Sequence, residues 1–239
     1  MFFILPLLPF LAIYILAAVL PAVILLRYIY RTDTVEKEPP GLLVLLLLMG
    51  VVAALCSGIL EGLGETLLNA LVDPGSPAYT ILLAFLVVAL VEEGTKFILL
   101  KKCTWYHPAF NYRFDAIVYA VFVSLGFAAF ENIQYVLNYG LSVALPRALL
   151  AVPGHMSFAV FMGLFYGRAK LCEAYSYRRG MKRNLLTGYL VAVFLHGFYD
   201  TCAMIGSAVS TVVFLVFVAL MFLGIFRLVK KESATDAPV

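Results

Sequence analysis

Four stretches of otherwise apolar sequence each carry side chains that can move protons or bind a metal: Glu92-Glu93-x-x-Lys96, Phe127-x-x-x-Glu131-Asn132, Pro153-Gly154-His155 and His196-x-x-x-Asp200. On a helix, residues four apart share a face, so His196 stands over Asp200 and Glu92 over Lys96. Glu92 and Glu93 are adjacent and point about 100° apart, so they cannot share one task. One aims at the centre, and the other, expected to be Glu93, pairs with Lys96 or holds a neighbouring helix. If ionised, Glu92, Glu93, Glu131 and Asp200 bring four negative charges against the single positive charge of Lys96. Each ionised group at mid-bilayer costs about 2.5–3.5 kcal/mol, so these groups must face one another, a water-filled cavity or a metal. Either some carboxyls stay protonated or a divalent cation completes the set. His155 and His196 together with carboxylates suit Zn²⁺ with a position left for water. A free carboxylate such as Glu92 can take a proton from that water. The motif H-E-x-x-H is absent, so the site must be assembled from separate helices. A lone intramembrane histidine often only bridges two helices; four successive stretches with acid or imidazole groups point to a site.

The elements that position these groups are membrane helices. Hydrophobic residues make up 64% of the 239, charged residues 13%, and mean hydropathy is +1.00. A lipid span takes roughly 20 apolar residues in a helix. A closed barrel would alternate apolar and polar residues, whereas Leu42 to Leu48 is an unbroken apolar run. The apolar stretches Phe2–Leu26, Gly41–Val72, Ala78–Leu100, Phe114–Leu137, Leu141–Tyr166, Asn184–Ala203 and Ala208–Phe226 predict an all-α polytopic bundle of about seven transmembrane helices. The breaks between them carry Pro, Gly, Asn and Ser, as at Asp73-Pro74-Gly75-Ser76-Pro77. No basic residue precedes Arg27, so the first stretch is expected to remain as a helix rather than serve as a cleaved leader. Of the 17 Lys and Arg, all but Lys96 and Arg147 fall on alternate connections or the tail. By the positive-inside rule the N-terminus lies outside and the C-terminus in the cytoplasm. Topology thus accounts for a net charge of +3 with no nucleic-acid partner. The chain reads as one integral membrane domain over 1–239, with a catalytic-like core over about 78–203 and peripheral helices at 1–72 and 207–229.

Lesser signals complete the reading. Gly58-x-x-x-Gly62 is expected to let helices approach closely. Glu61 and Glu65 read as a wetted helix end, Asp115 as a helix-start cap beside Arg113, and Trp105, Tyr106 and Tyr112 as an interfacial aromatic belt. Arg147 is either an outer-surface anchor or a counter-charge to the site. Cys56, Cys103, Cys172 and Cys202 show no metal-type spacing and read as free thiols or small fillers. Counted at 1.5 Å per residue, Glu92 lies about 14 Å from Lys101 and Glu131 about 24 Å from Asp115, which makes Glu131 the outlying member.

The ordered set Glu92-Glu93-x-x-Lys96, Asp115-Ala116-Ile117-Val118-Tyr119, Gly126-Phe127-Ala128-Ala129-Phe130-Glu131-Asn132, His155 and His196-x-x-x-Asp200 resembles the PrsW family of prokaryotic intramembrane proteases. These are distant relatives of the CAAX-processing and bacteriocin-processing membrane proteases, and the match covers roughly Leu90 to Asp200. The resemblance implies a multi-pass protein of the prokaryotic plasma membrane that hydrolyses peptide bonds in or beside the bilayer. Its substrates would be single-pass membrane regulators such as anti-sigma factors. It implies catalytic positions at Glu92, Glu93, Glu131, His155, His196 and Asp200; among them we expect Glu92 as base, His155 and His196 as ligands or oxyanion-side donors, Asp200 orienting His196 or ligating, and Lys96 neutralising Glu93. His155, His196, Glu131 and Asp200 are the metal-ligand candidates, Zn²⁺ the expected ion, and a glutamate-activated water without metal the alternative. A proton- or cation-coupled transporter would also use intramembrane carboxylates, but predicts matching broken helices in two halves, which this sequence does not display. A membrane partner that only sequesters a helix would keep its activity after replacement of Glu92.

Overall fold

A computed structural model describes residues 7–239. The beginning of the first expected span, Phe2 to Pro6, lies outside the described residues. The helices in order are α1 (Leu7–Thr32), α2 (Pro40–Leu71), α3 (Pro77–Leu82), a π-helical segment (Leu83–Ala89), α4 (Leu90–Thr104), α5 (Asp115–Tyr139), α6 (Ala144–Leu149), α7 (Ala151–Ala174), α8 (Arg178–Ile205) and α9 (Ala208–Ala234). Among the described residues, six helical stretches are long and apolar enough to cross a membrane. The seventh expected span is the unbroken run 77–104 through α3, the π segment and α4. At 1.5 Å per residue it is roughly 40 Å long, and Glu92, Glu93 and Lys96 lower its hydropathy.

Helices α1, α7 and α9 run past the hydropathy bounds, to Thr32, Ala174 and Ala234, and two further differences have physical reasons. The sixth span begins at Arg178 rather than Asn184, because a helix continues through a polar turn that hydropathy cannot see. The stretch Leu141–Tyr166 is not one helix: it breaks at Leu150 into α6 and α7. Pro153 therefore sits in the first turn of α7, where a missing N–H costs nothing, and His155 lies near a helix start rather than deep within one.

Helix α5 is the axis of the molecule, buried from Asp115 to Ala128 and packed against α1, α2 and α7. It meets α2 backbone to backbone. A Cβ on Gly50 would stand 2.1 Å from the Val123 carbonyl oxygen, and one on Gly126 would stand 2.3 Å from that of Leu47. The expected close approach at Gly58 and Gly62 does not occur, since a Cβ at either would meet nothing within 4 Å. Beyond Ser57, α2 turns Ile59, Leu60, Leu63, Leu67 and Leu71 outward, which suits a lipid-facing side, while Gly64 still faces Val87 of the π segment.

The connections that carry the basic residues gather at one end. Ser233 donates to the Thr32 carbonyl, the Arg113 amide to Ala237 and the Val239 amide to Asn111, and the Trp105 Nε1 to Glu173. Trp105 does not join an exposed aromatic belt: it is buried, edge-on to Tyr166 and Phe110, whereas Tyr106 is exposed. Asp115 accepts the amides of Asn111 and Tyr112, so it fastens the incoming loop rather than the helix's own first turn. All four cysteines are free.

Candidate active site

The π segment widens the turn immediately before Glu92 and Glu93 and so changes which face of the run they present; such segments recur at functional sites. Gly197 of α8 lies against this segment, where a Cβ would stand 2.5 Å from the ring of Phe85. That close approach puts His196 directly against α4. On α4, Lys96 is fully enclosed and donates to Glu92 Oε2 at 3.0 Å, Glu93 Oε1 at 2.8 Å and His155 Nδ1 at 3.2 Å. The ammonium also lies 3.9 Å from the centroid of the Phe127 ring. His196 Nδ1 is 3.0 Å from Glu93 Oε1 and its Nε2 is 3.2 Å from Asp200 Oδ2. Its ring stacks on Phe158 at 4.8 Å. His155 Nε2 is 3.1 Å from Glu131 Oε2.

These distances fix several protons. An ammonium can only donate, so His155 Nδ1 accepts from Lys96 and the ring proton sits on Nε2, directed at Glu131. His196 lies between two carboxylates, so either it carries both ring protons or one of the acids is protonated. Charge is supplied from a residue whose role the sequence left open. Arg147 pairs with Glu131 at 2.8 Å, donates through Nε to Asn132 Oδ1 at 2.8 Å and covers the Tyr135 ring at 3.7 Å. Asn132 in turn donates to the Ala18 carbonyl at 2.7 Å, tying this arm to α1. Arg147 is thus a counter-charge to the site and no surface anchor. Its exception to the alternating charge pattern was the signal.

All six expected catalytic residues converge. Glu92, Glu93, His155 and His196 each bring one ligand atom within 4.8 Å of the others, and all four are buried. Glu131 and Asp200 stand outside this inner group, each holding the Nε2 of one histidine. Glu131 is therefore outlying, as its depth predicts, yet bonded to the site. The two glutamates of α4 divide as their geometry requires. Both pair with Lys96, but Glu92 lines a cavity of about 500 Å³ that Glu93 does not reach. Glu131, Arg147, His155, His196 and Asp200 line the same cavity. So does Glu61, which is not simply a wetted helix end: one of its carboxylate oxygens is buried without a partner. Nothing in its sequence surroundings distinguished it from Glu65, which is exposed. The inner group suits a metal such as Zn²⁺ in donor chemistry, and Glu93 Oε2 is buried with no hydrogen-bond partner.

Long apolar helices around a cavity of about 500 Å³ lined by acids and imidazoles define a multi-pass membrane protein with the groups for hydrolytic chemistry among its helices. A profile described as PrsW family intramembrane metalloprotease matches residues 38–225. The chain is 36% identical over 184 residues to "Protease PrsW" of Geobacillus kaustophilus, covering 77% of this chain and 76% of that one. Against the proteins of the same name from Oceanobacillus iheyensis and Bacillus subtilis it is 30% and 31% identical. These matches cover 92% and 91% of this chain and 96% and 94% of the relatives. No solved structure matches. The chain belongs to the PrsW family of intramembrane proteases, multi-pass membrane proteins of bacteria.

Proposed function

We propose that this protease cleaves single-pass, membrane-anchored regulators of the anti-sigma-factor kind, with a water activated by Glu92, at a zinc site, its basic end in the cytoplasm. The observation that carries the assignment of the base is that Glu92, and not Glu93, opens onto the cavity while both share Lys96. Glu92 would take the proton of the attacking water and return it to the leaving amine. Lys96 keeps the adjacent glutamates from repelling each other. Asp200 and Glu131 fix the ring orientations of His196 and His155, as acids behind metal-binding histidines do. His155, His196 and Glu93 would hold Zn²⁺, which supplies Lewis-acid polarisation of the scissile carbonyl when bound.

One observation favours a second reading, a glutamate protease without metal. The ammonium of Lys96 already stands among Glu92, Glu93 and His155, and Arg147 with a doubly protonated His196 would leave the centre with only one excess negative charge. Metal content of the purified protein, read beside cleavage of a model single-pass substrate, separates the two. Stoichiometric zinc lost together with cleavage in His196→Ala supports the metalloprotease. Full cleavage by metal-free wild type, abolished by Glu92→Gln, supports the glutamate reading; no cleavage under either condition sinks both.

A further inference from the structure

A second cavity, of about 520 Å³, opens at the basic end between α4, the loop after it and the start of α8. It is lined by Lys101, Arg178 and Lys182, by Trp105 and Tyr106, and by Ser176 and Glu173. The one acid on its wall is already committed: Glu173 accepts from Lys170 at 2.9 Å and from Trp105 Nε1 at 2.9 Å. Lys101, Arg178 and Lys182 form no ion pair among the described residues. Topology asks only that basic residues occupy this connection. It does not ask that three of them rim one cavity beside a tryptophan with no carboxylate to answer them. Ser176 has φ 57°, the one positive φ outside glycine among the described residues, in the tight turn that joins α7 to α8.

We infer that this cavity binds the phosphate headgroup of an anionic phospholipid. The site lies where a headgroup would lie, at the polar end of membrane helices, and three cations facing one space repel unless an anion joins them. Phosphate is matched bidentately by Arg178 and as a point charge by the lysines. Tyr106, which is exposed, offers the amphipathic surface that settles at the headgroup level, and Trp105 stands buried behind it. The bound lipid would join α4, which carries Glu92 and Glu93, to α8, which carries His196. The inference does not rest on the hydrolytic reading.

Trp105 is the single tryptophan of the chain, so its fluorescence reports this site alone. The full-length protein would be placed in phosphatidylcholine vesicles containing graded amounts of brominated phosphatidylglycerol or brominated phosphatidylcholine, and quenching compared. Brominated phosphatidylglycerol should quench at several-fold lower mole fraction. Each of Lys101→Gln, Arg178→Gln and Lys182→Gln should weaken that preference by about fivefold or less, as one basic residue beside an anionic surface contributes. The triple variant and wild type in high salt should both lose it. Equal quenching by the two lipids in wild type, or a preference that survives in the triple variant, overturns the site. Erasure of the preference by inorganic phosphate at constant ionic strength would overturn the lipid as its source and make free phosphate the ligand.

Discussion

Lys96 is the residue on which the centre depends, because its ammonium donates to both glutamates of α4. Replacement by Met would take the ammonium from two buried carboxylates and leave them only His196, 3.0 Å from Glu93 and 3.9 Å from Glu92; a broken buried pair costs about 3–5 kcal/mol. The expected result is a variant whose unfolding in detergent falls by many degrees, with Lys96→Arg recovering part of it. An unchanged melting temperature in Lys96→Met would mean that the glutamates are neutralised elsewhere. Glu92→Gln is the opposite case, since the amide keeps the volume and one acceptor oxygen for Lys96. It should fold normally and lose about 10²–10⁴-fold in cleavage rate, the usual contribution of a general base. Wild-type cleavage by Glu92→Gln would remove Glu92 from the base role.

At the scale of the element, α5 is held by contacts that leave no room for a methyl group. Gly50→Ala or Gly126→Ala would push α2 from α5, because the opposing atoms are backbone and cannot rotate away. Overpacking of this kind costs typically about 1–3 kcal/mol. Thermal unfolding should show that loss in both variants and none in Gly58→Ala or Gly62→Ala, which stand in open space. Equal effects at all four positions would show that the loss of glycine, rather than the α2–α5 contact, sets the cost. The break at Leu150 has its own consequence: α6 swings aside and carries Arg147 to Glu131.

For the whole molecule, pH acts at the basic end through acids of the loop between α1 and α2. Burial pushes the Asp33 carboxyl up to about 6, reinforced by Asp236 and Glu36 and opposed by Lys37. Burial pushes Glu38 up to about 8, with Asp115 adding to the rise and Tyr119 opposing it. The hydrogen bonds agree: the Tyr119 hydroxyl has one proton and two partners, the Ala109 carbonyl and Glu38, so a protonated Glu38 can be the donor to Tyr119. Both folded-state values lie above the unfolded ones, so their stabilisation is complete in acid and is lost as pH rises through about 6 and then about 8. The melting temperature in detergent should therefore fall by several degrees between pH 6 and pH 9. Glu38→Gln, which is neutral throughout, should flatten the upper part of that fall. A melting temperature that rises across this range would contradict the assignment.

The sequence by itself determined the number of long apolar spans, the gathering of basic connections at one end and the six acids and imidazoles of the centre. Each of those follows from one local quantity: apolar length, charge position, or the cost of an ionisable group in lipid. It also marked Arg147 as out of pattern. Only the tertiary structure decided which groups touch, because helix rotation and offset depend on features that composition does not register. The π segment turns Glu92 toward the cavity and leaves Glu93 behind it. The break at Leu150 makes Arg147 the partner of Glu131. The glycines that matter are Gly50 and Gly126 rather than the more conspicuous Gly58 and Gly62, since a helix can approach only where a second backbone crosses it, and the crossing point is a property of two helices together.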